Sequence, residues 1–502
     1  MCNFFPHNRI VYRKDFSNGG LPIAFASRPL ACKQLPVGYG DNGGGCAQCR
    51  HSGIQIPPAS KAEPRMRNIL FEWHLHPTTW VYLSSLMTIG IYFKFNRLWS
   101  VRNLDLLGLI AFAPGLLLIE HRQYQLGFSW LFAVGGFFLI RLLLDAVMVR
   151  RPLLEPNLSA SGLTFTLVCL LVFLMGNVIA YQPTEEDLAG ARRLERLLAR
   201  AEPAAGQEDL LQHGPGYPLF FVFASFANRA FMSLESADAE QASRAALEDA
   251  TAKATAILGH LALIAGMVLI GYKHFDNLQT GFAASALYLL LPYTAQMTGR
   301  VDHVLPAALL VWAVAAYRRP IVAGVLLGLS AGAIYYPLFL LPLWCGFYWR
   351  RGLLRFCLGT AAALLVLVAT LTLTASSVES LLGQLRQMFG ILNPLEANLV
   401  GFWQYHEPAF RLPVIAAFVA MCLSMALWPA QKNLGTLLSC SAAVMLGVQF
   451  WHGRYGGIYM AWYLPLLVLT IFRPNLEDRV AYTAVFDFPI RRWRWWTRKS
   501  NA

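Results

Sequence analysis

The stretch VIAYQPTEEDLAGARRLERLLARAEPAAGQEDLLQHGPGYPLFF, residues 178–221, interrupts a chain that is otherwise apolar over long distances. After a hydrophobic run it sets three consecutive acids, a charged helical pattern, a second acidic pair and a Gly-Pro-Gly-Tyr-Pro turn. Its neighbours decide how it is read. The 502 residues are 56% hydrophobic and only 14% charged, with a mean hydropathy of +0.45, whereas an ordinary soluble domain carries about 25% charged residues. Continuous apolar runs recur along most of the chain, many near the roughly 20 residues a helix needs to cross hydrocarbon. They lack the alternation of barrel strands. The expectation is an all-α polytopic membrane protein, with residues 182–254 as a large outer loop carrying amphipathic surface helices.

Hydropathy places spans at 78–93, 104–119, 125–146, 162–181, 255–272, 279–298, 303–317, 319–334, 336–349, 354–375, 411–428, 433–450 and 456–472. Several are shorter than a crossing and suit half-helices or re-entrant pieces, so about 11–13 transmembrane helices are expected. The formal charge of +13 does not indicate nucleic acid, because Lys and Arg stand at the ends of apolar runs and no soluble basic domain is evident. It carries orientation instead: Lys94, Arg97, Arg102, Arg150, Arg151, Lys273, Arg318, Arg319, Arg350, Arg351, Arg355, Lys432 and the tail are assigned to the cytoplasmic side. The tail, residues 476–502, ends in RRWRWWTRKSNA and suits an anionic cytoplasmic leaflet. Residues 182–254, 299–303, the Tyr335-Tyr336-Pro337 junction, 376–410 and 451–455 then face outward. Segment 217–232 is apolar enough to cross, but counting it as a span would invert every upstream loop, so it reads as a surface helix.

Residues 1–65 show no periodicity and read as a disordered or mis-started segment, with Met66 resembling a natural start. Thirteen spans would put that basic segment outside, a conflict that a start at Met66 largely removes. Residues 66–155 read as accessory N-terminal helices, 156–375 as the core and 376–475 as the C-terminal helices. The nine cysteines form no disulfide framework. Cys46 and Cys49 make one C-x-x-C whose companions lack the spacing of a zinc site.

Thr184 is a good N-cap, and Glu185, Glu186 and Asp187 fill a first helical turn, where the macrodipole favours acids. Capping alone explains acids there. Position adds a second reading: a carboxylate just outside the bilayer can accept a proton from an attacking hydroxyl while a lipid-linked donor lies beside it. Asp187 and Glu186 are best placed for that work. Arg300, Asp302 and His303 in GRVDHV are ionisable groups at a span end, where such residues often mark function; the bland alternative is an outer turn with an Arg–Asp pair. Glu208, Asp209 and His213 precede GPGYP, where acids commonly serve turns. Tyr405, His406, His452 and Arg454 fall on the same outer face; belt aromatics are the ordinary reading, yet an Arg fork beside His suits a phosphate.

The order YQPTEEDLAGARRL then HGPGYPLFF resembles the polytopic GT-C glycosyltransferases that use polyprenyl-phosphate sugars, and among them the mannosyltransferase-like family 87. A second likeness covers residues 298–344, with a polar turn, a span, a small basic loop, an AGVLLGL span and a Tyr-Pro element at Tyr336. Family members often carry a Lys before that element; here the stretch is AIYYPL, so any phosphate-binding role of that Lys is moved or lost. The resemblance spans about residues 160–375 and the last apolar segment. It implies a GT-C-like bundle in the cell inner or plasma membrane that transfers a hexose, mannose above all. The donor would be a polyprenyl phosphate, and the acceptor a lipid or glycan on the non-cytoplasmic face. Asp187 or Glu186 would be the base, with Glu185, Glu208, Asp209, His213, Arg300, Asp302, His303, Tyr336, Tyr405, His406, His452 and Arg454 lining substrate. Arg300 and Arg454 would meet the phosphate. The resemblance fixes no cofactor, and Asp302 with His303 would help hold the acceptor or a divalent cation near Asp187. The alternatives are a transporter or flippase for a lipid-linked sugar and a catalytically decayed homologue.

Overall fold

The computed structural model describes residues 76–148, 155–198, 214, 216–232, 240–374, 378–390, 399–430, 432–476 and 479–480. Residues 1–65 with Cys46 and Cys49, the end of the basic tail, and Glu208, Asp209 and His213 lie outside the described residues. Among the described residues the regular elements are helical, apart from one backbone bridge between Val400 and Arg454. The helices are α1 (Pro77–Tyr92), α2 (Val101–Glu120), α3 (Tyr124–Leu144), α4 (Ala160–Ala180), α5 (Glu185–Leu198), α6 (Val222–Met232), α7 (Glu240–His274), α8 (Leu278–Leu290) and α9 (Pro292–Gln296). They continue as α10 (Val301–Ala315), α11 (Pro320–Ala333), α12 (Leu341–Phe347), α13 (Leu353–Thr374), α14 (Val378–Met388), α15 (Arg411–Leu427), α16 (Leu434–Trp451) and α17 (Leu464–Phe472).

Among the described residues, seven helical stretches are long and apolar enough to cross a membrane: Val101–Glu120, Tyr124–Val147, Ala160–Ala180, Arg244–His274, Leu353–Thr372, Pro408–Leu427 and Leu434–Trp451. Leu278–Leu290, Val301–Ala315, Pro320–Ala333 and Tyr336–Phe347 are apolar but shorter. The chain is thus an all-helical protein of membrane-embedded character. The outer helices turn apolar side chains outward, as with Phe165, Val168 and Val172 on α4 and Leu365 and Val366 on α13. In water such surface is unfavourable by about 25 cal/mol per Å²; in hydrocarbon it is at home. At the centre α16 is buried almost all round, and its start is fixed by a capping box between Asn433 and Thr436.

Proline sets most of the breaks that shorten the remaining helices. The run expected as one span at 279–298 divides at Leu291, held extended ahead of Pro292, which begins α9, because the residue before proline is pushed out of the helical region. The segment expected at 336–349 is a 3-10 turn, Tyr336–Leu340, followed by α12. The last expected span, 456–472, keeps only α17 as α-helix. The span expected at 255–272 is instead part of α7, whose 35 residues at 1.5 Å each give about 52 Å, more than the ~30 Å of hydrocarbon. Its amino-terminal part therefore extends into what the sequence suggested was loop. Segment 217–232 is a 3-10 turn, Tyr217–Phe221, and the separate helix α6.

The connections sort onto two ends of the bundle. At one end Asn177 Nδ2 reaches the Ala295 carbonyl (3.4 Å), Gly214 N–H bonds the Ala333 carbonyl (2.8 Å), Trp462 Nε1–H bonds the Asp302 carbonyl (3.0 Å) and Trp403 Nε1–H bonds the Phe450 carbonyl (3.0 Å). At the other, Tyr348 OH bonds the Tyr317 carbonyl (2.6 Å), His274 Nε2 meets the Ala315 carbonyl (2.8 Å) and Leu434 N–H bonds the Arg479 carbonyl (2.8 Å). Lys273, Arg318, Arg319, Arg350, Arg351, Lys432, Arg473 and Arg479 stand in these second connections. All the described loops that the sequence assigned outward lie at the first end.

A buried charge cluster ties the N-terminal helices to the last one. Arg141 on α3 makes a two-pronged pair with Asp105 of α2 (2.9 and 3.1 Å) and a third bond to Asp145 (3.0 Å). Asp145 also receives Arg473, just after α17. Asp105 and Asp145 are 0% and 2% exposed. Removing one partner of such a network leaves an uncompensated buried charge, at a cost of about 3–5 kcal/mol. Arg141→Leu is expected to lower the thermal unfolding midpoint of the detergent-purified protein by that measure, and Asp105→Asn in the same chain to restore part of it. An unchanged midpoint in Arg141→Leu would show that the cluster does not hold these helices.

Candidate active site

The end of α4 delivers Tyr181, whose extended backbone stops the helix, and after three intervening residues α5 begins. Asp187 is the third residue of α5, and its carboxylate turns back on the segment before the helix. Oδ2 accepts from Thr184 N–H (2.9 Å), Thr184 Oγ1–H (2.8 Å) and Tyr181 OH (3.1 Å). This oxygen makes the reverse of the cap that the sequence suggested: Thr184 is the donor through both its N–H and its hydroxyl, and the Asp187 carboxylate is the acceptor. The other oxygen is different. Oδ1 is sealed from solvent and has no hydrogen bond among the described residues; Arg300 Nε lies 3.2 Å away as an ion pair, but its N–H is directed to Asp302 Oδ1 at 3.1 Å.

Arg300 precedes α10 and gathers three carboxylates. Nη1 bonds Glu186 Oε2 (2.8 Å), Nε and Nη2 clasp both oxygens of Asp302 (3.1 Å each), and Asp187 completes the set. Burial works against the guanidinium's charge, but Asp302, Asp187 and Glu186 outweigh it and raise its pKa. Burial also raises the Asp187 pKa, opposed by Arg300 and the Thr184 bonds. Tyr181 is pushed up to about 12 by burial and the adjacent carboxylate.

The opening stretch packs against itself to hold this arrangement. Gly190 on α5 meets the turn Tyr217–Phe221 so closely that a Cβ there would sit 2.4 Å from a Phe221 ring carbon and 2.7 Å from a Tyr217 ring carbon. Leu194 and Ala191 join Tyr217, Phe221 and Ala252 in a small core. The two glycines before that turn, Gly214 and Gly216, are anchored on α11, their N–H groups bonding the Ala333 and Gly332 carbonyls (2.8 and 3.2 Å).

A row of rings continues from the acids. His303 Nδ1 pairs with Tyr293 OH at 2.6 Å, and that oxygen also accepts Ala461 N–H (3.1 Å). His303 lies 4.8 Å from the Tyr459 ring; Tyr459 stacks on Trp462 (4.4 Å) and lies 4.8 Å from His452, which in turn lies 5.1 Å from Tyr336. Arg454 follows His452, its backbone bridged to Val400. Glu186, Asp187, Arg300, Asp302, His303, Tyr336, His452 and Arg454 are thus gathered at one end of the bundle.

Other expected residues stand apart. Glu185 pairs with Arg192, its side chain 80% exposed. Tyr405 is exposed, and His406 is exposed, stacked on Phe402 (4.4 Å) with Nδ1 at the Phe402 carbonyl (3.0 Å). Arg300 cannot be the open phosphate contact that its sequence suggested, because its fork is occupied by carboxylates. The three acids converge on that guanidinium, and no group of three or more His, Cys, Asp or Glu is arranged to hold a metal ion among the described residues.

Sequence reasoning missed Tyr181, Tyr293, Tyr459, Trp462 and Arg411. Arg411 is buried, with Nε and Nη2 both donating to the Trp451 carbonyl at the end of α16 (3.3 and 3.1 Å). The signal available was an arginine opening an apolar run on the outward side, masked by the habit of reading such residues as interfacial anchors.

Because the folded pKa of Asp187 stands above its unfolded value, its contribution to stability is lost as pH rises through the folded pKa. At neutral pH the ionised form therefore weighs against the fold. Asp187→Asn keeps an acceptor for Thr184 and is expected to unfold at the same or a higher temperature than the parent near neutrality, with the difference shrinking toward acid pH. A lower midpoint at neutral pH would show that the carboxylate is there only to cap α5.

No protein-family model matches the chain, and no curated protein sequence matches it significantly.

Proposed function

We propose that the chain is an integral membrane glycosyltransferase of the GT-C type. It moves a hexose, mannose by the resemblance, from a polyprenyl-phosphate donor to a lipid- or glycan-linked acceptor. The observation that carries the reading is Asp187 Oδ1: a buried carboxylate oxygen, capped on its other side, with no hydrogen bond among the described residues. A buried carboxylate with a raised pKa beside charged partners is a frequent mark of a general base. In the proposed reaction an acceptor hydroxyl attacks the anomeric carbon, its proton passes to Asp187 Oδ1, and the bond from that carbon to the phosphate oxygen breaks, the electron pair leaving with polyprenyl phosphate. Arg300 keeps Asp187, Glu186 and Asp302 together, and Arg454 with His452 faces the leaving group.

The orientation that goes with this reading puts the basic end in the cytoplasm and the acidic site on the non-cytoplasmic face of an inner or plasma membrane. A transporter for a lipid-linked sugar has one observation in its favour, the ionisable residues Asp105 and Arg141 inside the α2–α3 pair, but they pair with each other and with Asp145 rather than line a path.

Purified protein incubated with a panel of polyprenyl-phosphate hexoses and acceptor lipids is expected to release polyprenyl phosphate, with Asp187→Asn about 10²–10⁴-fold slower. Glu186→Gln should be affected less, since that side chain is 45% exposed. Release at the parental rate from Asp187→Asn refutes the base assignment. Absence of release from folded protein with every donor favours the transporter or a decayed enzyme.

A further inference from the structure

His452 and Arg454 meet in a turn whose geometry fixes what each can do. Val400 N–H bonds the Gly453 carbonyl (2.9 Å) and Tyr455 N–H bonds the Val400 carbonyl (3.0 Å), stitching the turn to the segment before Trp403. Between these bonds Tyr455 is held at φ 53°, in the left-handed region that side-chain-bearing residues seldom enter. Strain of this kind persists where the surroundings enforce it, and it concentrates at ligand sites.

The turn also aims a backbone donor at the His452 ring: Arg454 N–H lies 3.2 Å from Nδ1 and donates to it. An imidazole nitrogen that accepts a hydrogen bond carries no proton, so in the neutral ring the proton is on Nε2. Nε2–H has no partner among the described residues and is not sealed from solvent, although the residue as a whole is only 9% exposed. The Arg454 guanidinium likewise makes no hydrogen bond or ion pair with any described residue. The charged and titratable groups around the ring are Arg411 from α15, Arg454 from the turn, His303 from α10 and the hydroxyls of Tyr336 and Tyr459. Burial, reinforced by Arg411 and Arg454, presses the imidazole pKa down to about 3. Three carboxylates stand close by in the cluster, yet Arg300 holds them and Arg454 pairs with none of them.

We propose that His452 and Arg454 form a subsite for a singly charged phosphate oxyanion, in which His452 donates through Nε2–H and Arg454 supplies the charge. The subsite rests on reading this end of the bundle as the place where a phosphate is handled. It gives His452 the part of a hydrogen-bond donor.

The test is binding without turnover, by quenching of tryptophan fluorescence in the full-length protein in detergent, with Trp451 and Trp462 beside the ring as reporters. The lipid-type probe is farnesyl methyl phosphate, a phosphodiester with a single low ionisation; inorganic phosphate and pyrophosphate are the free-anion probes. Preference for the phosphodiester assigns the subsite to a lipid-linked phosphate, and an equal response to inorganic phosphate assigns it to a soluble one; both support the subsite if the two side chains are required. Phosphodiester affinity should stay flat between about pH 5 and 8, where an ordinary histidine titrates. Arg454→Ala and His452→Phe should each weaken it about tenfold or more, the size of a hydrogen bond to a charged group. His452→Gln, which keeps an N–H donor, should retain most of the affinity. Arg454→Ala has no side-chain partner to lose and should keep the parental unfolding midpoint.

Affinity that climbs below about pH 6.5 would make the ring an imidazolium and overturn the proposal. Unchanged binding in both Arg454→Ala and His452→Phe would also overturn it. Binding with the expected dependences but no transfer from any hexose donor would sink the enzyme reading alone, whereas transfer at the parental rate in both variants would sink the subsite alone.

Discussion

The Arg300 guanidinium is the constraint on which this end of the protein depends. Glu186 and Asp187 come from a helix that lies outside the long apolar helices, and Asp302 comes from the first turn of α10. One cation joins them across 114 residues of chain. Without it, two carboxylates that are 2% and 5% exposed, Asp187 and Asp302, would face each other uncompensated. Such networks seldom stabilise a fold more than a well-packed apolar substitute would. Its value here is positional, since the Leu194–Phe221 core that docks α5 would hold the helix but would leave its rotation loosely set. The fork adds direction, because a two-pronged arginine–carboxylate pair allows little angular freedom.

That direction explains how one aspartate reconciles capping with chemistry. A carboxylate at the third position of a helix reaches back naturally to the N-cap backbone, and Oδ2 of Asp187 does so. Arg300 then prevents Oδ1 from finding a donor of its own, because the nearest N–H is already directed at Asp302. Acids in a first helical turn are common and uninformative; a sealed first-turn carboxylate with one unbonded oxygen is not. The distinction lies in tertiary contacts and appears nowhere in the local sequence.

The apolar elements, by contrast, were legible. Continuous hydrophobic runs located nearly every helix of the bundle, and the clustering of lysine and arginine anticipated which connections share an end. The breaks at Leu291 and before α12 were less so, since hydropathy runs straight through a proline that the backbone does not. Among site residues, Glu185 shows where local reasoning fails: adjacent acids on a helix are turned about 100° apart, so three in a row cannot face one site, and Glu185 turns to Arg192 on the surface. Tyr293 and Trp462 were invisible for the opposite reason, because their partners Ala461 and Asp302 lie 168 and 160 residues away. An aromatic in an apolar run carries no mark of its hydroxyl or N–H being needed.

What the sequence treated as one polar face divides into two electrostatic halves. On one side Arg300 is surrounded by carboxylates; on the other Arg454 is unpaired among the described residues. The rings of His303, Tyr459 and His452 stand between them. Free exchange between the halves would let Arg454 collapse onto the acids, and the ring row together with the Val400 bridge keeps it away. In the proposed displacement the nucleophile and the leaving group need opposite help at the same moment, a proton acceptor for one and positive charge for the other. A site that let its cations neutralise all its acids could supply neither. Holding one guanidinium saturated and another bare is a way to keep both functions within one small volume.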